Sequence, residues 1–313
     1  MPAFYAHERF GKKVWQQTEG DLKEIIRSHY PQFRIGLQGP DIFFFYRLYT
    51  NNKVSKYGTD MHAVSAYPFF LRALEIVRRK GRETKEYAYL LGFLCHYILD
   101  SESHSYVDEM IRKTGVEHVE IEEEFEKKLL RIDNKDPLAY PIAKLVPTDW
   151  NTVEAIAPFH PAVDKKQIRN SLFYLKGLKH LFTAPGAVKQ TAINSALKLT
   201  GKYASLKGIM NQRIDNQKCV ESNIGLLRRF DNTFPCSSVF VFPYALPFTR
   251  MYVRIAHPVP FPFSHSHQNF VSSEPPQKQH WILYDVGNSA FVLLVSTIIP
   301  IYFNYLIVNS GFL

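Results

Sequence analysis

Cysteine is scarce in this chain of 313 residues. There are three, Cys95, Cys219 and Cys236, far apart and without a CxxC pair. That argues against a disulfide framework and against a cysteine-based zinc site. The opening residues, MPAFYAHERFGKK, hold no apolar run of the kind that begins a signal peptide, so a cytoplasmic body is expected. Strand-like alternation is almost missing as far as residue 223, which argues against a β architecture. Acidic residues nearly vanish between 224 and 280, where only Asp231 and Glu274 remain.

Hydrophobic residues make up 46% of the chain and charged residues 21%, with a net charge of +9. This is the composition of a globular protein long enough for one large domain or two smaller ones. Lysine and arginine are scattered along the chain, which reads as a solvated surface, and no nucleic-acid partner is expected.

Up to about residue 223 the pattern is helical. LKEIIRSHY, YPFFLRALEIVRRK, YAYLLGFLCHYILD, IEEEFEKKLLRI, IRNSLFYLKGLKHLF and AINSALKLTGKYASLKGIM all carry apolar residues at three- and four-residue spacing. Breaks are expected at 36–40, 50–58, 137–148 and 184–186. The expectation is an all-α, multi-helix domain over 1–222 with roughly seven to nine helices. Prolines, phenylalanines and serines dominate 223–280, as in VPFPFSHSHQNF, which reads as an irregular linker. From 281 to 313 the chain is hydrophobic, and 290–308 carries no charge. That is close to the ~20 residues of a spanning helix, so a transmembrane segment and membrane association through 281–309 are expected. A buried helix or a pair of strands is the alternative.

The chemistry concentrates in HYILDSESHSYVDEMIRKTGVEHVEIEEE, residues 96–124. His96, Asp100 and His104 are four apart and share one helix face, and His118 and Glu122 do the same on the next helix. Imidazole nitrogen and carboxylate oxygen are the donors zinc takes where cysteine is absent. His96 lies inside an apolar stretch, where an unsatisfied ring is costly. A core histidine bonded to a carbonyl is its plainer reading. Glu120, Glu123 and Glu124 read as solvated. Three more residues stand apart: His7 in FYAHERFG, Asp41 in LQGPDIFFFYRL and His62 in TDMHAVSAYPFF. Each also has an ordinary reading, as a surface histidine or a helix N-cap. His160, His180, His257, His265 and His267 read as surface or irregular-region histidines.

Taken in chain order, His7, Asp41, His62, HYILD at 96–100, His104 and HVEIE at 118–122 resemble the zinc-dependent phospholipase C family, in particular the helical N-terminal domain of its alpha-toxin type. The motifs lie within 4–124, and the resemblance extends over about 4–222. It implies an all-α domain with two or three zinc ions as cofactor. Asp41, His62, His96 and Asp100 would hold one ion, His104, His118 and Glu122 a second, and His7 with a shared Asp100 a third. Asp41 would also act as the catalytic base. The chain departs from the family in having MPAFYA where the secreted enzymes carry an N-terminal tryptophan ligand. The step from Asp100 to His104 is also tighter, so Ser103 or Asp108 stays open as a substitute donor. The implied reaction is hydrolysis of a phospholipid to diacylglycerol and a phosphorylated headgroup. A non-lipid phosphodiester or phosphomonoester substrate, a metal-binding module without catalysis, and a membrane-anchored binding module are the alternatives. WILYDVGNSAFVLLVSTIIPIYF, in 281–313, resembles the first transmembrane helix of a major facilitator transporter of the vacuole-effluxer-like branch. A joining of two neighbouring genes by fusion or frameshift would account for that stretch, and so would a genuine tail anchor.

Overall fold

The apolar pattern YAYLLGFLCHYILD becomes the middle of one long helix. In the computed structural model, which describes residues 4–47, 50–199, 203 and 207–238, this helix runs over Lys85–Thr114 and is 30 residues long. Thr84 caps its start by accepting a hydrogen bond from the Tyr87 backbone N–H at 3.3 Å, and Gly115 ends it in the left-handed region. Apolar residues lie on nearly every side of its first half, and most are buried, as expected of a helix surrounded by others.

Around it stand α1 (Phe4–Gln17), α2 (Gly20–Ser28), α3 (Tyr30–Gly36), α4 (Lys53–Ala63) and α5 (Tyr67–Lys80). The long helix is α6, and α7 (His118–Ile132), α8 (Trp150–Ile156), α9 (Lys165–Phe182), α10 (Ala187–Leu199) and α11 (Val220–Ser238) follow. Short 3-10 turns link several of them, including Gly39–Phe43 after α3. The described residues hold no strand, so the all-α expectation agrees with the structure. Eleven described α-helices exceed the seven to nine expected, because α3 and α8 are only two turns or so long and leave little periodic signal.

The packing of α3 on α6 sets the frame. A Cβ added at Gly36 would lie 2.2 Å from the Tyr89 carbonyl, and one at Gly92 would lie 2.0 Å from the Phe33 carbonyl. Only glycine lets the two backbones approach so closely. The helix α1 is fixed across α7 by three bonds. The Tyr5 backbone N–H donates to Glu126 Oε2 at 2.9 Å, the Tyr5 hydroxyl to Asp133 at 2.7 Å, and Arg9 Nε to Asp133 at 2.8 Å.

Several expectations need correction. The break expected over 50–58 ends early, because Asn52 caps α4 by accepting bonds from Val54 and Ser55. The linker expected from residue 223 begins instead as helix. Leu226, Phe230 and Thr233 are buried at four- and three-residue spacing, and Phe230 packs edge-on against Phe10. Glu123 and Glu124 are buried rather than solvated. The remainder of the expected linker, with His257, His265 and His267, and the whole hydrophobic segment 281–313 lie outside the described residues. Among the described residues, no helix is long and apolar enough to cross a membrane.

Candidate metal centre

Four elements bring the histidines and carboxylates together. His96 projects from the middle of α6 and is fully buried. Its Nδ1 lies 3.2 Å from the Leu37 carbonyl. A carbonyl only accepts, so Nδ1 carries the proton and the neutral ring keeps its lone pair on Nε2. No hydrogen bond reaches that Nε2. Gly39 sits against the ring with φ +51°, and a Cβ there would be 2.2 Å from the imidazole. The turn after α3 therefore needs glycine both for its backbone and for the room it leaves the ligand.

His7, on α1, stacks on His96 with ring centroids 4.4 Å apart. It is almost fully buried, and neither ring nitrogen has a hydrogen-bond partner. Leaving such groups unsatisfied costs about 1–3 kcal/mol each, which marks a place where a ligand belongs. Burial first, and then the neighbouring His96, hold the His7 pKa well below the ordinary histidine value. Burial also lowers that of His96. Both rings are neutral, the state that coordinates a metal.

His62 closes the pocket from α4. Its Nδ1 is 2.8 Å from the Gly58 carbonyl, which places its other lone pair on Nε2. That Nε2 lies 2.9 Å from Asp41 Oδ1, on the 3-10 turn. The two form a buried histidine–carboxylate pair, and both are side chains of the kind that coordinate a cation. Without a cation the balance changes. Burial pulls the His62 pKa down, but Asp41 and Asp100 outweigh it and raise it above the ordinary value.

Asp41, His7 and His96 offer ligand atoms within 4.8 Å of one another, and so do His62, His96 and Asp100. Both sets draw on His96. With its Nδ1 committed to Leu37, His96 has one lone pair to give, so the two sets share it, and together they gather five candidate ligands. His7 joins Asp41 and His96 here, a grouping other than the pairing with Asp100 that the family resemblance implies. Further along α6, Asp100 Oδ1 is 3.7 Å from His104 Nδ1. The His104 ring lies 5.1 Å from that of His118, whose Nε2 is 2.8 Å from Glu122 Oε1. These residues adjoin the pocket through Asp100, but among the described residues they form no set as tight as the first two. Ser103 is buried on the same helix, and Asp108 is half-buried.

The model of the zinc dependent phospholipase C family matches residues 6–166. The chain belongs to that family. All eight candidate ligands lie inside the matched stretch, whereas 281–313 lie outside it, and the match lends no support to a transporter resemblance there. No curated protein and no solved structure matches the chain. The donor chemistry fits the family's metal, since the pocket presents imidazoles and carboxylates and no cysteine. Zinc is the metal this family membership implies.

Sequence reasoning missed the residues that orient the candidate ligands. The carbonyls of Leu37 and Gly58 fix two tautomers, a role typical of outer-shell groups at metal sites, and backbone atoms leave no trace in composition. Gly39 was visible only as part of a break. His160 needs outright correction. It is fully buried, with Nδ1 3.0 Å from the Tyr57 hydroxyl and Nε2 2.8 Å from the Tyr89 hydroxyl. The rings of Phe43, Phe69 and Phe93 surround it. Burial lowers its pKa to about 3, so it is a neutral structural histidine. His180 is exposed, as expected.

Proposed function

We propose that this chain is a zinc-dependent phosphodiester hydrolase of the phospholipase C type, cleaving a phospholipid to diacylglycerol and a phosphorylated headgroup. The observation that carries the reading is the buried convergence of His7, Asp41, His62, His96 and Asp100, with the rings of His62 and His96 oriented by their bonds to backbone carbonyls. Zinc bound there would polarise phosphoryl oxygens and lower the pKa of a bound water. His104, His118 and Glu122 extend the ligand set toward a further ion.

The chain's own residues supply position and proton handling. His7, His96 and Asp100 bind. Asp41 Oδ1, held beside His62, orients the attacking water and takes its proton. The water oxygen forms the new bond to phosphorus as the bond to the glycerol oxygen breaks opposite it, and the proton ends on the departing alkoxide. The apolar walls, Phe44 against His62 and Phe93 against His96, exclude bulk water and strengthen these interactions.

The test is zinc content by mass spectrometry on the full chain without a histidine tag, alongside headgroup release from phospholipid. Two or more zinc ions per chain, reduced in His96→Ala and in Glu122→Ala, together with headgroup release, support the reading. A folded helical chain that takes up no added zinc defeats it. Hydrolysis of soluble phosphodiesters without headgroup release moves the substrate to a non-lipid compound.

A further inference from the structure

From residue 165 to 214 the chain contains ten lysines and arginines and no aspartate or glutamate. The stretch includes α9 and α10. Ile168, Leu172 and Leu175 bury one side of α9. Lys166, Arg169, Phe173 and Gly177 follow one another at three- and four-residue spacing along the opposite side.

Two aromatic side chains stand out on that side. Phe173 is 46% exposed, and Trp150, at the start of α8, is 45% exposed. Between them lies the Arg169 guanidinium, 4.7 Å from the Trp150 ring and 5.0 Å from the Phe173 ring. Its Nε is buried without a hydrogen-bond partner, and it forms no ion pair among the described residues. A cation held by rings, with no carboxylate to neutralise it, is ready for an external anion. Leu181 is also exposed, as is Val188 beyond the end of the helix. The same helix reaches the metal pocket's surroundings, because Tyr174 packs against Tyr46 with ring centroids 5.9 Å apart, just past the turn that carries Asp41.

We propose that the face built on Trp150, Arg169 and Phe173 docks this chain on anionic phospholipid bilayers. The rings enter the boundary between headgroups and acyl chains, and the cations of α9 meet the lipid phosphates and carboxylates. Exposed Phe173, Leu181 and Val188 favour a membrane over a polynucleotide. Acyl chains reward the burial of aliphatic side chains, whereas a phosphate backbone rewards only charge. The docking goes beyond the hydrolase reading and stands without it, since vesicle binding and hydrolysis are separate measurements.

The experiment is co-sedimentation of the full chain with vesicles of phosphatidylcholine, with and without phosphatidylserine, at low and high salt. Wild type is compared with Trp150→Ala/Phe173→Ala and with Arg169→Glu, so that the apolar stretch 290–308 stays constant. These side chains lie at the surface, and circular dichroism checks that the variants fold. Binding is expected to require phosphatidylserine and to weaken with salt. It should fall about ten-fold or more in the double variant, and about five-fold or more in the charge reversal. Hydrolysis of a soluble phosphodiester should not change in either. Undiminished binding by both variants overturns the proposal. So does indifference to phosphatidylserine, or a preference for polynucleotide that the same variants abolish.

Discussion

The metal pocket and the charge cluster on α7 are both buried and both rich in ionisable groups, yet they are built in opposite ways. In the cluster, Lys127 is fully buried, and its Nζ contacts Glu124 at 2.8 Å and Asp215 at 2.9 Å. Glu123 and Glu124 also accept the backbone N–H groups of Gln212 and Asn216 at 2.6 and 2.8 Å. The cluster carries its own cation, and its donors reach every one of these carboxylates, with Glu123 Oε2 left without a hydrogen bond. In the pocket, lone pairs and carboxylates converge with no lysine or arginine among them. A buried polar cluster closed by its own partners holds a fold together. One that gathers imidazoles and carboxylates is the donor set a metal cation takes. Density of charge in the sequence does not distinguish the two, but the pairing does.

The sharpest way to break the comparison is to remove the internal cation. Lys127→Met leaves Glu123 and Glu124 buried without it, and the expected cost is about 3–5 kcal/mol in urea unfolding. Zinc stoichiometry of the folded fraction should stay as in wild type. A loss under about 1 kcal/mol would show that the cluster does not depend on its lysine.

Gly39→Ala attacks the pocket without touching a ligand. The new Cβ meets the His96 ring at a backbone conformation that L side chains rarely adopt. Zinc affinity is expected to fall about 10- to 100-fold, as for other outer-shell changes. Competition with a chelator measures it, and wild-type affinity would contradict the account.

His160 contributes a pH dependence independent of the metal. Its folded pKa of about 3 lies below the ordinary value of 6.5, so the unfolded chain takes up the proton more readily. The stabilisation is complete above pH 6.5 and is lost as pH falls toward 3. By pH 5 the loss amounts to about 2 kcal/mol. Thermal melts of wild type and His160→Gln should therefore converge on acidification, and parallel curves would refute the assignment.

The smallest effect belongs to the rim of the α7 cluster. Arg131 makes a two-pronged pair with Asp215 at 2.8 and 2.9 Å, and this bond leads the effects that hold the Asp215 carboxyl at about 2. Both side chains are well exposed, so Arg131→Ala should cost less than about 1 kcal/mol in urea unfolding. A larger loss would place the pair in the cluster's interior.

The helical class was legible because long helices such as α6 and α9 repeat their apolar face over several turns. The two-turn helices α3 and α8 and the helical start of 223–238 were not, because burial there depends on neighbours distant in the chain, as Phe230 does on Phe10. The run HVEIEEEFEKK shows the limit at the level of single residues. Glu122 faces His118, Glu123 and Glu124 face Lys127 and the chain at 212–216, and Glu126 holds the start of α1. Identical side chains on one helix serve a histidine pair, a charge network and a helix cap. Their helical angle and the segments folded against them separate these fates.

The sequence by itself determined the all-α class, the two ladders at four-residue spacing and the order of donors that marks the family, because these follow from local periodicity and residue type. Only the tertiary structure decided that His7 stacks on His96, that Leu37 and Gly58 aim the imidazoles, and that His160 is sealed among aromatic rings. Each of those depends on groups brought together by packing from distant positions, and neither residue type nor spacing encodes such a meeting.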